Sequence, residues 1–205
     1  MVYFVYADDG YMFDWGFHWL DGDLDKMKPA DMSPDDGIRI KPGFYTQGRA
    51  LEPDHVPTKA RVGGRKRKLA DVLPGSGSLV VDDKFRTILE ELEPGVHQFF
   101  PLDLVWKDGS SAGRRHWFNP CNRIDGPDRE KSTWVFDVIW LPKNPHLPEG
   151  EKPELVFSRA KIGDRHAWVE KRISGRVIMI SDAFKHRLDE AGVTGIGFKY
   201  DPETD

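Results

Sequence analysis

Hydrophobic and polar positions alternate most plainly near the start of the chain, where Asp14, Gly16 and His18 separate Phe13, Trp15, Phe17 and Trp19. This period of two predicts a strand with one aromatic face. Residues 20–37 are rich in Asp, Gly and Pro and predict an irregular connection. From 38 to 60, Pro42, Gly43, Gly48, Pro53 and Pro57 argue against a long helix. The period changes after Leu79-Val80-Val81, a short apolar strand. Asp82 or Asp83 is placed to cap a helix behind it, and Phe85, Ile88, Leu89 and Leu92 then recur at helical spacing. Pro94-Gly95 ends that helix, and residues 96–105 read as a strand packed against it.

Much of this pattern returns near the C-terminus. Residues 177–180 are an apolar strand, Ser181 is a good N-cap, and Phe184, Leu188 and Ala191 form a helical stripe closed by Gly192. A Gly-Ile-Gly-Phe strand follows at 195–198. Sliding the first copy by 99 residues places Asp83 on Asp182, Phe85 on Phe184, Leu89 on Leu188, Glu91 on Glu190 and Phe99 on Phe198. Two copies do not make a solenoid. They predict two related strand–helix–strand units inside a strand-rich α+β fold, with mixed or antiparallel sheets and a few short helices. Residues 134–141 form a further β-rich apolar run, and the four prolines of 142–153 mark an exposed loop or boundary. The expected organisation is one domain over 1–205, whose candidate subdivision is a strand-rich part (1–75) and a repeat-containing part (76–205).

Composition changes this picture little. The 205 residues are 39% apolar and 31% charged, a globular balance. Cys121 is the sole cysteine, so no disulfide framework is expected. The opening Met-Val-Tyr-Phe-Val-Tyr lacks the basic start and longer apolar run of a signal peptide, and no stretch reaches the roughly 20 apolar residues of a membrane span. A cytoplasmic protein is the simplest expectation. Charge is unevenly spread: residues 1–37 carry nine acids against two lysines, and residues 38–72 carry nine bases against three acids. Such asymmetry steers charged partners in some proteins and merely hydrates loops in most.

No spacing of residues announces catalysis. The seven histidines form no His-x-x-x-His pair, and Cys121 has no cysteine near it, so no metal site is expected. His18, His116 and His166, each beside or near a tryptophan, read as exposed or half-buried strand positions. A Gly-x-Ser-x-Gly elbow is absent. Gly192, Gly195 and Gly197 follow a helix, whereas a dinucleotide loop precedes one, so no cofactor is expected. Cys121 reads as a small packed hydrophobe. Arg65-Lys66-Arg67-Lys68 would attract phosphate, but with a pI near 6.0 and no nucleic-acid-binding signature, direct nucleic-acid binding is not expected. The residues favour a binding protein. A cryptic enzyme or small-molecule binder, and a structural component, stay open beside it.

The order of several short motifs carries a resemblance. Val80-Val81-Asp82-Asp83 leads into the first helix, then come Phe118-Asn119-Pro120, Ile124-Asp125 and a charged run to Ser132, and later His166-Ala167-Trp168. Ile180-Ser181-Asp182-Ala183-Phe184 through Ala191-Gly192-Val193-Thr194-Gly195-Ile196-Gly197-Phe198 is the best match. Over about 79–200 the chain resembles immunity protein family eleven of bacterial polymorphic toxin systems. The resemblance implies a cytoplasmic inhibitor of a cognate toxin C-terminal domain, acting by direct complex formation, through active-site occlusion or by preventing the toxin's productive conformation. A basic, nucleic-acid-targeting toxin would suit an acidic inhibitor. The acidic segment therefore supplies the candidate partner-binding residues Asp21, Asp23, Asp25, Asp35 and Asp36.

Overall fold

The computed structural model describes residues 1–8, 17–43, 47–136, 140–141, 146–148, 150–173 and 178–204. Phe13, Trp15 and Val177 lie outside these residues, as does part of the Pro-rich 142–153 segment. In chain order come β1 (Val2–Ala7), β2 (Phe17–Trp19), β3 (Lys59–Val62), β4 (Val72–Pro74), β5 (Leu79–Val81) and helix α1 (Asp83–Leu92). They are followed by β6 (Gln98–Val105), β7 (Ser111–Asn119), β8 (Arg123–Ile124), β9 (Val135–Phe136), β10 (Trp140–Leu141), β11 (Phe157–Ser158) and α2 (Arg159–Ile162). The last elements are β12 (Ala167–Glu170), β13 (Ile178–Ser181), α3 (Asp182–Glu190), β14 (Ile196–Asp201) and β15 (Glu203–Thr204). A six-stranded sheet runs β2-β3-β6-β7-β5-β4, a five-stranded sheet runs β14-β1-β13-β12-β8, and β9-β10 and β11-β15 form two small pairs. Both large sheets are mixed, through the parallel β3–β6 and β8–β12 pairs. The fold is α+β and strand-rich, with three short helices among the described residues.

The two strand–helix–strand units are real, and their kinship goes further than the sequence pattern. In each, the two strands flanking the helix are parallel and separated by a third strand antiparallel to both. That middle strand is β7 in the first unit and β1 in the second. Each unit also places the preceding strand antiparallel on the far side, giving β4-β5-β7-β6 and β12-β13-β1-β14. One four-stranded split β-α-β arrangement therefore occurs twice, with its middle strand taken from different points of the chain.

The helices begin alike. Asp82 caps α1 by accepting from the Phe85 N–H at 3.0 Å, and Ser181 caps α3 by accepting from the Phe184 N–H at 3.2 Å. They end differently. Gly192, at φ 61°, closes α3 in a Schellman turn, with the Val193 N–H on the Leu188 carbonyl at 3.0 Å. In α1 the matching position is Glu93, whose carbonyl accepts the Val96 N–H in a turn, so β6 begins at Gln98 rather than at 96.

Period-two alternation sorts the strands into three apolar layers. Leu79, Val81, Phe118, Tyr3, Val5, Ile178 and Ile180 point into a central core with Phe85, Leu89, Phe184 and Leu188 from the helices. Val80, Trp117, Leu102, Leu104, Ala60 and Val62 point to the far side of the six-stranded sheet, where Phe17 and Trp19 also pack. Val2, Trp168, Met179 and Phe157 fill the far side of the five-stranded sheet. The central core joins both units. At its middle the rings of Phe85 and Phe184 meet edge to face, 5.2 Å between centroids.

Phe85→Ala or Phe184→Ala should each cost about 3–5 kcal/mol in denaturant titration. Because the rings touch, the double variant should depart from additivity by about 0.5 kcal/mol or more. A loss below about 1 kcal/mol at both sites would contradict this account of the core.

Candidate functional site

The richest cluster of polar chemistry lies where α1 ends. Glu93 is buried, and its Oε2 accepts from His97 Nε2 at 2.9 Å and from the Ala167 N–H at 2.8 Å, while Oε1 accepts from Asn122 Nδ2 at 2.8 Å. His97, whose side chain is 0% exposed, takes the Cys121 backbone N–H on Nδ1 at 3.1 Å. A backbone N–H only donates, so Nδ1 is unprotonated and the imidazole is the neutral Nε2–H tautomer. Burial would raise the Glu93 carboxyl, but the bonds from His97, Ala167 and Asn122 hold it below its usual range. The cluster thus ties α1, β6, the β7–β8 corner and β12 together, across both sheets.

Cysteine, histidine and glutamate here stand in the order of a nucleophilic triad, without its wiring. The imidazole meets the Cys121 main chain, and burial pushes the thiol up to about 11, so it stays protonated. Gln98 and Asn119 complete the scaffold: Gln98 exchanges two hydrogen bonds with the Leu51 backbone, at 2.7 and 3.1 Å, and accepts from Asn119 at 2.9 Å. His116 is buried rather than half-buried, because Asp83 at the start of α1 holds its Nε2 at 2.7 Å. His166 bonds Ser181 at 2.8 Å. Among the described residues no group of acids, histidines or cysteines is arranged to hold a metal.

The five candidate aspartates divide into two places. Asp35 accepts from Arg123 at 3.0 Å and lies 3.4 Å from Lys171, and Asp36 pairs with Lys171 and sits 3.6 Å from Arg172. Arg172 also holds Asp125 at 3.1 Å. These cations come from β8 and the end of β12, so residues 35–36 are strapped to the five-stranded sheet. Asp21 instead belongs to the six-stranded sheet, where it accepts the N–H groups of Thr58 and Lys59, at 2.8 and 2.9 Å, and the Thr58 hydroxyl. Burial would raise its carboxyl, and those bonds hold it below the usual range. Asp23 pairs with Lys26 at 2.8 Å, and its N–H donates to the His55 carbonyl at 2.8 Å. Gly22, at φ 74°, lets the two loops touch: a Cβ there would lie 2.7 Å from that carbonyl. Asp25 forms no ion pair among the described residues.

This contact brings in a carboxylate that the sequence pattern does not single out. Asp54 is exposed on the facing loop, next to His55, and forms no ion pair among the described residues. Asp21, Asp23, Asp25 and Asp54 therefore share one pair of loops, beside Leu20, which is 46% exposed. A separate open cleft of about 500 Å³ is lined by Asp31, Asp35, Arg49, Cys121 and Arg123, and each arginine there is matched by an aspartate, at 3.1 and 3.0 Å.

The geometry defines an α+β scaffold of two related units, with its main polar clusters turned inward to hold sheets and loops together. A model of the immunity protein family Imm11 matches residues 28–200, and the chain belongs to that family. The match reaches well before residue 79, where the resemblance in the sequence begins, and it leaves out β1 and the loop of Asp21, Asp23 and Asp25. No curated protein matches the chain.

Two measurements test the buried acids. Glu93→Ala leaves three buried donors without their acceptor and should cost about 3–5 kcal/mol. Glu170 accepts from the Trp168 indole at 2.6 Å and the Gly126 N–H at 3.0 Å, yet burial pushes its carboxyl from 4.5 up to about 8. The folded state then binds the proton more tightly than the unfolded chain, so this group's contribution to stability falls as pH rises from 4.5 to about 8. Glu170→Gln should flatten that slope in denaturation midpoints measured across the interval. An unchanged slope would place the titration elsewhere.

Proposed function

We propose that this chain is the immunity partner of a cognate toxin domain, which it binds and neutralises directly in the cytoplasm of the cell that makes both. Membership of the Imm11 family over residues 28–200 carries the reading. The internal wiring of Glu93, His97 and Cys121 supports an inhibitor over a catalyst, since the thiol is protonated and the imidazole engaged.

The acidic loops support a basic toxin as partner. Asp35 and Asp36 are tied to Arg123, Lys171 and Arg172 of the five-stranded sheet, whereas Asp21, Asp23, Asp25 and Asp54 share one pair of loops, and this shared place makes them the proposed recognition group. Within this group Asp21 positions the loop, while Asp23, Asp25 and Asp54 face the partner around exposed Leu20. Charges at the rim of an interface act mainly on the association rate.

Co-expression with the C-terminal toxin domain encoded beside this gene should rescue growth and yield a co-purifying complex. Failure of both would sink the reading. Asp23→Lys, Asp25→Lys and Asp54→Lys together should slow association in stopped-flow, most at low salt, where the Debye length exceeds its physiological value of about 8 Å. The thermal midpoint should move little, because the Asp21 clasp is retained.

A further inference from the structure

Helix α1 covers only part of the face on which it lies. On β6 and β7, Phe99 and Phe118 point to the central core, so by alternation Pro101, Asp103, Arg114 and His116 share that face. On β3 and β2, Ala60, Val62, Phe17 and Trp19 belong to the opposite core, which places Lys59, Arg61 and His18 on the helix side. His116 is buried beneath Asp83. Beyond it the cover ends: His18, Lys59, Pro101, Asp103 and Arg114 are exposed and Arg61 is half-buried.

This open face is basic. Lys59, Asp103 and Arg114 stand in one cross-strand row, and His18 and Arg61 in the next. Asp103 accepts from Arg114 at 2.9 Å, whereas Lys59 and Arg61 form no salt bridge among the described residues. The acidic loops begin at its border, for Leu20 donates to the Lys59 carbonyl at 3.0 Å and the next residue, Asp21, binds the Lys59 N–H. A basic field and an acidic field thus meet along one seam, at exposed Leu20.

We propose that the open face of β2, β3, β6 and β7 and the adjoining acidic loops form one bipolar docking surface for a folded protein. Lys59, Arg61 and Arg114 receive acidic side chains of that partner, Asp23, Asp25 and Asp54 receive basic ones, and Leu20 lies in the apolar centre. The inference rests on the toxin reading above and adds a second, oppositely charged half to the interface. The charge arrangement favours a protein over a nucleic acid at this seam, because the carboxylates beside Lys59 repel phosphate.

The test is stopped-flow association with the toxin domain encoded beside the gene, at low and at physiological salt. Arg61→Glu with Arg114→Glu should slow association about tenfold or more at low salt, Asp23→Lys with Asp25→Lys should do likewise, and the neutral pair Arg61→Gln with Arg114→Gln should fall between the first pair and wild type. Circular dichroism and denaturation midpoints should stay near wild type, and if the glutamate pair misfolds the glutamine pair carries the test. Wild-type binding with a rate indifferent to both basic-face pairs overturns the proposal while leaving the toxin reading intact. No wild-type binding at all removes that reading, and the proposal with it. A labelled oligothymidylate of about 20 nucleotides that binds at physiological salt, and is lost in the glutamate pair, would make the face a nucleic-acid site instead.

Discussion

The contact between Phe85 and Phe184 is the point on which the architecture turns. Each ring is fixed by its own unit: a capped helix start aims it, and alternating strand residues wall it in. Neither unit covers its ring alone, since each ring rests on the helix of the other. Apolar packing of this kind is strong but weakly directional. The Glu93 carboxylate adds the missing direction, because from the end of α1 it reaches the Ala167 N–H, in the strand beside β13. A buried carboxylate is tolerated only with its acceptors filled, so this hub admits one arrangement of the two sheets.

The two units differ in how far apart in sequence their paired strands lie. The first unit is assembled from neighbouring segments, with its middle strand β7 joined to β6 by a tight turn. The second takes its middle strand from residues 2–7 and pairs it with residues 178–181 and 196–201, almost the whole chain away. Loop-closure entropy must be met before such pairing is rewarded. The first unit therefore closes at a lower entropic cost than the second. The turn after α3 then docks against β4, where the Val72 N–H donates to the Thr194 carbonyl at 3.0 Å and a Cβ on Gly195 would collide with the Val72 carbonyl.

What the sequence makes legible follows burial. Helices α1 and α3 are readable because one face is buried and their caps are local, and the 99-residue offset finds both. Strand β1 is hard to assign because it is a middle strand with apolar residues on both faces, so Val-Tyr-Phe-Val shows no alternation. Strand β7 is masked by Gly113, Arg114 and Arg115, which break its apolar alternation. The Glu93 hub joins residues 93, 97, 121, 122 and 167, each unremarkable in its own neighbourhood. Asp54 escapes for the same reason, since only the fold brings it beside Asp23.

Charge gives the clearest case of a linear pattern rewritten by folding. The acidic first segment and the basic one after it look like two opposed fields, yet much of that charge cancels at close range. Asp31 meets Arg49, Glu52 meets Lys28, and Asp35 and Asp36 meet cations from beyond residue 120. Exposed pairs of this sort add little stability, but they cancel part of the field that the sequence suggests. Among the charges that form no salt bridge within the described residues are Asp25 and Asp54 on one pair of loops, Lys59 and Arg61 on the adjoining sheet face, and exposed Arg39, Lys41, Arg65 and Lys68. A partner meets this residue of the charge pattern rather than its linear sum, so net charge alone is a poor guide to the partner's own charge. In the proposed interface, specificity would rest on where the two signs lie relative to Leu20, a property of the loop contact at Gly22 and of the row that aligns Lys59, Asp103 and Arg114.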